Sequence, residues 1–231
     1  MTALLLNAVA AHAFGPYTGG QVGYDVSYPQ CPGTSAPPAP NGITWNFGII
    51  GTNHGRPFTP PPAGCFANEY NAAAPFTTPS VYMNSAYSGA YRRNITPACS
   101  SVSGESQAWQ IGCSEADYSA KQVGGRTVAV WWLDVETGNS WSTSNLTLNQ
   151  QAIQGALDRL KAISPTWPVG VYSTTSMWTT ITGGSFVPNG VAGDWVPVST
   201  TDCTSTPPFM PGTNLWLTQK TINSVDVDTA C

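Results

Sequence analysis

The sequence predicts an α/β protein, a single irregular (β/α) TIM-like barrel with long loops. Three observations carry this. Short apolar strands recur along the chain, and several are continuous apolar runs rather than alternating ones, as parallel strands covered by helices require. Helical stretches fall between strands, the alternation that builds a parallel barrel. Carboxylates stand at strand ends, where α/β barrels carry their reactive groups.

The first strand is Val22–Val26, with Asp25 near its end. Phe47–Gly51 and Ser80–Met83 follow, and Phe66–Ala74 between them reads as a helix. A second helix is predicted over Ser114–Val123, capped by Ser114 and stopped by Gly124-Gly125. Thr127–Glu136 is the fourth and longest strand, an apolar run ending in Asp134 and Glu136. A third helix runs over Leu148–Ile163. Thr147 and Gln150 have capping-box spacing, and Ile153, Ala156, Leu157, Leu160 and Ile163 form an apolar stripe for core packing. Pro168–Tyr172, Asp194–Val198 and Leu215–Thr218 are the later strands, and Asp226 falls just beyond the last. Pro57–Pro62 and Ser199–Pro211 read as surface loops, and no linker or repeat divides the chain.

Composition narrows the function. With 231 residues the chain is long enough for one large core. Charged residues are only 9%, yet hydrophobic residues reach 41% with nine Trp, so the many Gly and Pro mark long loops rather than disorder. The net charge of −4 and the absence of any basic cluster beyond Arg92–Arg93 argue against a nucleic-acid partner. No apolar run is long enough for membrane insertion. The six cysteines form no CxxC pair and only His12 and His54 offer imidazoles, so no metal site is expected.

An even cysteine count in a low-lysine chain points to disulfides and a secreted protein, extracellular or in the cell wall. Pairing of sequence neighbours gives Cys31–Cys65, Cys99–Cys113 and Cys203–Cys231. Residues 1–13 read as a truncated signal peptide ending at Ala11-His12-Ala13, which leaves 14–231 as the barrel domain. Oligomeric state is not legible.

The chemistry concentrates on Asp134 and Glu136. Residues two apart on a strand point the same way, with Cα atoms about 7 Å apart. Their carboxyls can then approach to roughly 5–6 Å, near the separation used by retaining glycosidases. Like charges and partial desolvation push one pKa upward, as acid–base catalysis requires. Trp132 shares their parity and should face inward, while Trp131 packs under a helix. Tyr172, Trp178 and Trp216 are candidates to line a cleft and stack on sugar rings, and Gln219 to bond a substrate hydroxyl. Trp195 reads as core. Of the aspartates in Val225-Asp226-Val227-Asp228, Asp226 is assigned to the barrel axis and Asp228 to the surface or a loop bond.

Four segments resemble the family-25 glycoside hydrolases, the lysozyme-type muramidases. They are Gly23-Tyr24-Asp25-Val26-Ser27, Leu133-Asp134-Val135-Glu136, Gly170-Val171-Tyr172-Ser173, and Trp216-Leu217-Thr218-Gln219 with Val225-Asp226-Val227-Asp228. They occur in the family's order across nearly the whole mature chain, and look most similar to a secreted, cysteine-containing actinobacterial branch. The resemblance implies an irregular β/α barrel that cleaves a 2-acetamido polysaccharide, peptidoglycan above all, without metal or organic cofactor. It implies Glu136 as proton donor, Asp134 as the acid that helps the substrate's own acetamido group act as nucleophile, and Asp25 and Asp226 as supporting carboxylates. One segment departs from it: an acidic motif after the second strand is replaced by Thr52-Asn53-His54-Gly55-Arg56. Asn53 and His54 there are expected to contact an acidic or acetylated sugar. The departure, with the low surface charge, keeps a second reading open: a catalytically silent barrel that binds glycan or joins an extracellular assembly.

Overall fold

Eight strands close into a barrel in chain order in the computed structural model, which describes residues 15–199 and 202–231. The signal peptide expected over residues 1–13 lies outside the described residues. The strands are β1 (Val22–Val26), β2 (Phe47–Gly51), β3 (Ser80–Asn84), β4 (Trp131–Asp134), β5 (Val169–Tyr172), β6 (Asp194–Pro197), β7 (Leu215–Ile222) and β8 (Val225–Ala230). Helices α1 (Cys65–Ala73), α2 (Pro97–Ser100), α3 (Gln107–Val123), α4 (Leu146–Ile163) and α5 (Thr175–Thr182) cover the outside. Among the described residues no helix is long and apolar enough to cross a membrane.

Successive strands from β1 to β7 pair in parallel, but β8 is antiparallel to both β7 and β1. The sequence reading missed β8. Its Val-Asp-Val-Asp text carries too few apolar residues to read as a buried run, and it is a hairpin partner of β7. Asn223 and Ser224, at φ 51° and 63°, make the two-residue turn. Reversal has a functional consequence: the start of β8 lies beside the C-terminal ends of the other strands, so Asp226 pairs in register with Asp25. Besides the β7–β8 hairpin, the connections β1 to β2 and β6 to β7 carry no α-helix among the described residues. In the β6 to β7 connection, Asp194 accepts hydrogen bonds from the backbone N–H groups of Phe209 (2.7 Å) and Met210 (3.0 Å), tying the long loop to β6.

The barrel interior is aromatic. Tyr17, Phe47, Trp132, Trp195 and Trp216 pack inside with Ile49, Val130 and Leu217. Trp131 faces outward, as expected, and packs near Trp167. A Cβ at Gly170 would collide with the Trp132 ring, so this glycine makes room for the indole.

Helix starts differ from the sequence reading for local reasons. α3 begins at Gln107, where Ser106 accepts the Trp109 N–H at 3.2 Å. Ser114, the expected cap, lies inside the helix, buried, and its hydroxyl donates to the Gln110 carbonyl at 2.7 Å. Gly112 masked the first half of this helix. Its absent side chain lets α3 touch α4: a Cβ at Gly112 would strike the Ala152 carbonyl, and one at Gly155 the Trp109 carbonyl. α4 is capped by Asn145, whose Oδ1 accepts the Thr147 N–H at 3.1 Å, two residues before the expected start. Gln150 donates instead to the Thr182 carbonyl at 2.7 Å. α5 was not expected; Thr174 caps it and Gly183, at φ 87°, ends it. β4 is shorter than expected and stops at Asp134, leaving Glu136 on the loop beyond.

The three disulfides join Cys31–Cys65, Cys99–Cys113 and Cys203–Cys231, the pairing of sequence neighbours.

Candidate active site

The C-terminal mouth of the barrel holds a cavity of about 180 Å³ lined by Asp25, Tyr82, Asp134, Glu136, Tyr172, Trp195, Gln219 and Asp226. Register explains the convergence. Asn84, Asp134 and Tyr172 are neighbours across β3, β4 and β5. Asp25 opposes Asp226, and Gln219 opposes Asp228. Strands β1, β4, β5, β7 and β8 thus bring polar residues to one mouth, above an aromatic floor.

Hydrogen bonds fix the side chains. The Tyr172 hydroxyl donates to Gln219 Oε1 at 2.8 Å, and Gln219 Nε2 donates to Asp25 Oδ2 at 2.7 Å. Asn84 Nδ2 donates to Asp134 Oδ2. Asn84 is itself clamped by Asn53, which donates to its carbonyl at 3.0 Å and accepts from its N–H at 3.2 Å. Trp195 Nε1 donates to Asp228 Oδ1 at 2.9 Å.

The carboxyls form two contacting pairs. Asp134 and Glu136 lie within hydrogen-bonding reach of one another. Asp25 and Asp228 form the second pair. Among the described residues no Lys, Arg or His lines the cavity. Burial first, and then neighbouring carboxylates, therefore raise the acids. Asp25 rises to about 7, through burial and then the charge of Asp226. Asp134 rises well above its ordinary range through burial, then Glu136 and Asp25. Glu136, only partly exposed at the cavity wall, is raised by burial, with the Asp134 hydrogen bond pulling the other way. Burial likewise raises Tyr172, followed by the charge of Glu136. Two adjacent charges without a cation cost more than one, so within each pair the shifts run toward sharing a proton.

Not every candidate residue lies here. Asp25, Asp134, Glu136, Asp226, Tyr172 and Gln219 line the cavity. Trp132 faces inward but lies fully buried beneath, with its Nε1 donating to the Tyr17 hydroxyl at 3.2 Å. Trp216 is also interior packing, at the opposite, entry end of β7. Trp178 is buried on α5 against Phe186. The Asn53 side chain is spent on Asn84. His54 is exposed and lines a separate pocket with Tyr28, Gly55, Arg56 and Thr59.

Asp228 corrects the sequence reading. Residues 226 and 228, two apart on a strand, share a face, so the alternation puts both inside rather than one. Asp228 is fully buried with Trp195 against it; Asp226 sits at the rim, its Oδ1 accepting from Thr221 at 2.7 Å. Trp195, read as core, is buried yet forms part of the cavity wall. Sequence reasoning also missed Tyr82 and Asn84. Their signal was parity: Tyr82 and Asn84 alternate inward on a strand that the reading ended one residue early.

The architecture is similar to that of solved muramidases. A family GH25 lysozyme from Aspergillus fumigatus aligns at 14% identity with a TM-score of 0.62, covering 91% of this chain and 93% of that one. A muramidase from Trichobolus zukalii aligns at 20% identity and a TM-score of 0.60, over 91% of this chain and 93% of that one. The lysozyme of Streptomyces coelicolor aligns at 21% identity and 0.57, over 91% and 92%. At such identities the likeness is one of fold. No protein-family model and no curated protein matches the sequence.

Proposed function

We propose that this protein is a secreted glycoside hydrolase that cleaves a 2-acetamido polysaccharide, peptidoglycan being the substrate that best fits its muramidase-like fold. One observation carries the reading: five carboxyl groups meet at the mouth of a barrel, and among the described residues no cationic side chain lines the cavity. A structural role does not need such an arrangement, and its cost in folding energy is repaid only by proton chemistry. The three disulfides support an oxidising, extracytoplasmic location.

The mechanism is retaining and substrate-assisted. Glu136 takes the shared proton from the Asp134 pair and passes it to the glycosidic oxygen as the C–O bond breaks. The carbonyl oxygen of the substrate's acetamido group attacks the anomeric carbon from the opposite face and forms a cyclic oxazolinium. Asp134, now a carboxylate held by Asn84, accepts the acetamido N–H and offsets the positive charge. A water then adds to the anomeric carbon, and Glu136 takes its proton. Asp25, Asp226 and Asp228 keep the cavity negative, which favours the oxocarbenium-like transition state, while burial favours the protonated form of Glu136. Tyr172 and Gln219 are the residues placed to meet substrate hydroxyls; Tyr82 and Trp195 form the aromatic wall of the cavity.

Incubation of the protein with purified peptidoglycan, followed by reducing-end measurement, tests the reading. The expected product is a newly reducing sugar of retained configuration. Glycan pull-down without any release would select the silent, glycan-binding barrel instead.

A further inference from the structure

The segment that departs from the muramidase pattern builds something of its own. Thr52 and Asn53 begin at the cavity wall, since Asn53 holds Asn84 and Asn84 holds Asp134. The chain then turns outward, with the His54 N–H donating to the Thr59 carbonyl at 2.9 Å. His54 meets Tyr28 edge-on at 3.9 Å between ring centroids. Tyr28 follows Ser27, which lies beside Tyr82 of the acid cavity. The loop is therefore a flank of the same mouth.

That flank is cationic and aromatic. A hollow of about 260 Å³ is lined by Arg56, Phe58, Tyr91 and Arg93, among others, and no acidic residue lines it. Arg56 also lines the neighbouring hollow with Tyr28 and His54. Among the described residues the ion pairs are Lys121–Asp117 and Arg159–Asp117, so no carboxylate neutralises Arg56 or Arg93. Phe58, at φ 60°, holds a left-handed backbone that a bulky side chain ordinarily avoids, and it packs near Tyr91 at 5.4 Å. Two guanidinium groups thus share a hollow with two aromatic rings on the flank of the acid cavity.

We propose that Arg56 and Arg93 form an anion-reading flank that selects glycan strands carrying carboxylate substituents next to the scissile bond. This rests on the glycoside hydrolase reading of the adjacent cavity and names the substrate feature that orients the chain across it. The acids repel an anionic substituent and the arginines attract it, so a strand with carboxylates on one side has one favourable direction. Guanidinium suits a carboxylate because its donors meet both oxygens. A phosphate-bearing wall polymer shares the anionic chemistry and is separated by the test.

The experiment measures binding, not turnover. Peptide-stripped peptidoglycan strands with free carboxylates, the same strands amidated through carbodiimide, and phosphate-bearing wall polymer are titrated against the wild type and an Arg56→Gln/Arg93→Gln variant. The wild type should bind the free-carboxylate strands five- to tenfold more tightly than the amidated ones, less so in high salt. The variant, with unchanged melting temperature, should lose that preference and keep its affinity for the amidated strand. Equal binding of the two strands by the wild type, or a preference that survives in the variant, would overturn the proposal, as would tighter binding of the phosphate polymer. A protein that shows the preference but releases no reducing ends would leave this flank standing and remove the hydrolase reading.

Discussion

Replacing Glu136 by Gln separates a catalytic acid from a structural one, because the two roles predict opposite effects on stability. Gln keeps the size of the side chain and can still bond Asp134, but it carries neither charge nor transferable proton. Two unit charges about 4 Å apart repel by roughly 4 kcal/mol at an effective dielectric near 20. The proton shared with Asp134 relieves most of that, which leaves about 1–2 kcal/mol to gain at pH 8. Loss of the general acid should lower turnover by at least about 10³-fold, within the usual 10²–10⁴ for such groups. The assay pairs reducing-end release from peptidoglycan with urea unfolding, disulfides intact. Lower activity with equal or higher stability is the expected pattern. Undiminished lysis would refute the role of Glu136. A stability loss of several kcal/mol would instead mean that the charged carboxylate holds the fold together.

Three further outcomes follow from the same structure. Asp25 and Glu69, each raised to about 7 chiefly by burial, are neutral in the folded barrel when they would be ionised in the unfolded chain. Their contribution is complete below about pH 4 and is lost as pH rises to about 7, so the protein should be several kcal/mol more stable at pH 5 than at pH 8 by urea titration; a flat profile would show that these acids are solvated. Gly112→Ala forces a methyl group into the Ala152 backbone and should cost more than 2 kcal/mol by parting α3 from α4, whereas an ordinary helical Gly→Ala change stabilises by up to about 1 kcal/mol. Replacing Cys203 and Cys231 by Ser opens a loop of 28 residues and should cost about 3.5 kcal/mol by loop entropy, seen as a lower melting temperature, because this bond pins the end of the reversed strand β8.

The sequence determined the features that depend on near neighbours. The periodicity of apolar residues announced the parallel strands and the α4 stripe, and three disulfides joined the cysteines nearest in the chain. Asp134 and Glu136 stood out because their spacing after an apolar run is a local fact, and Tyr172 because it closes a strand. What pairing across the barrel decides was hidden. The antiparallel insertion of β8 brought Asp226 to Asp25 and buried Asp228, and a sequence window carries no information on which strand lies beside which. Register likewise separated tryptophans of similar local context: Trp195 reaches the acid cavity, while Trp132 and Trp216 fill the floor below it. Burial among like charges, which raises the acids, exists only once distant strands have met, and so belongs to the tertiary structure alone.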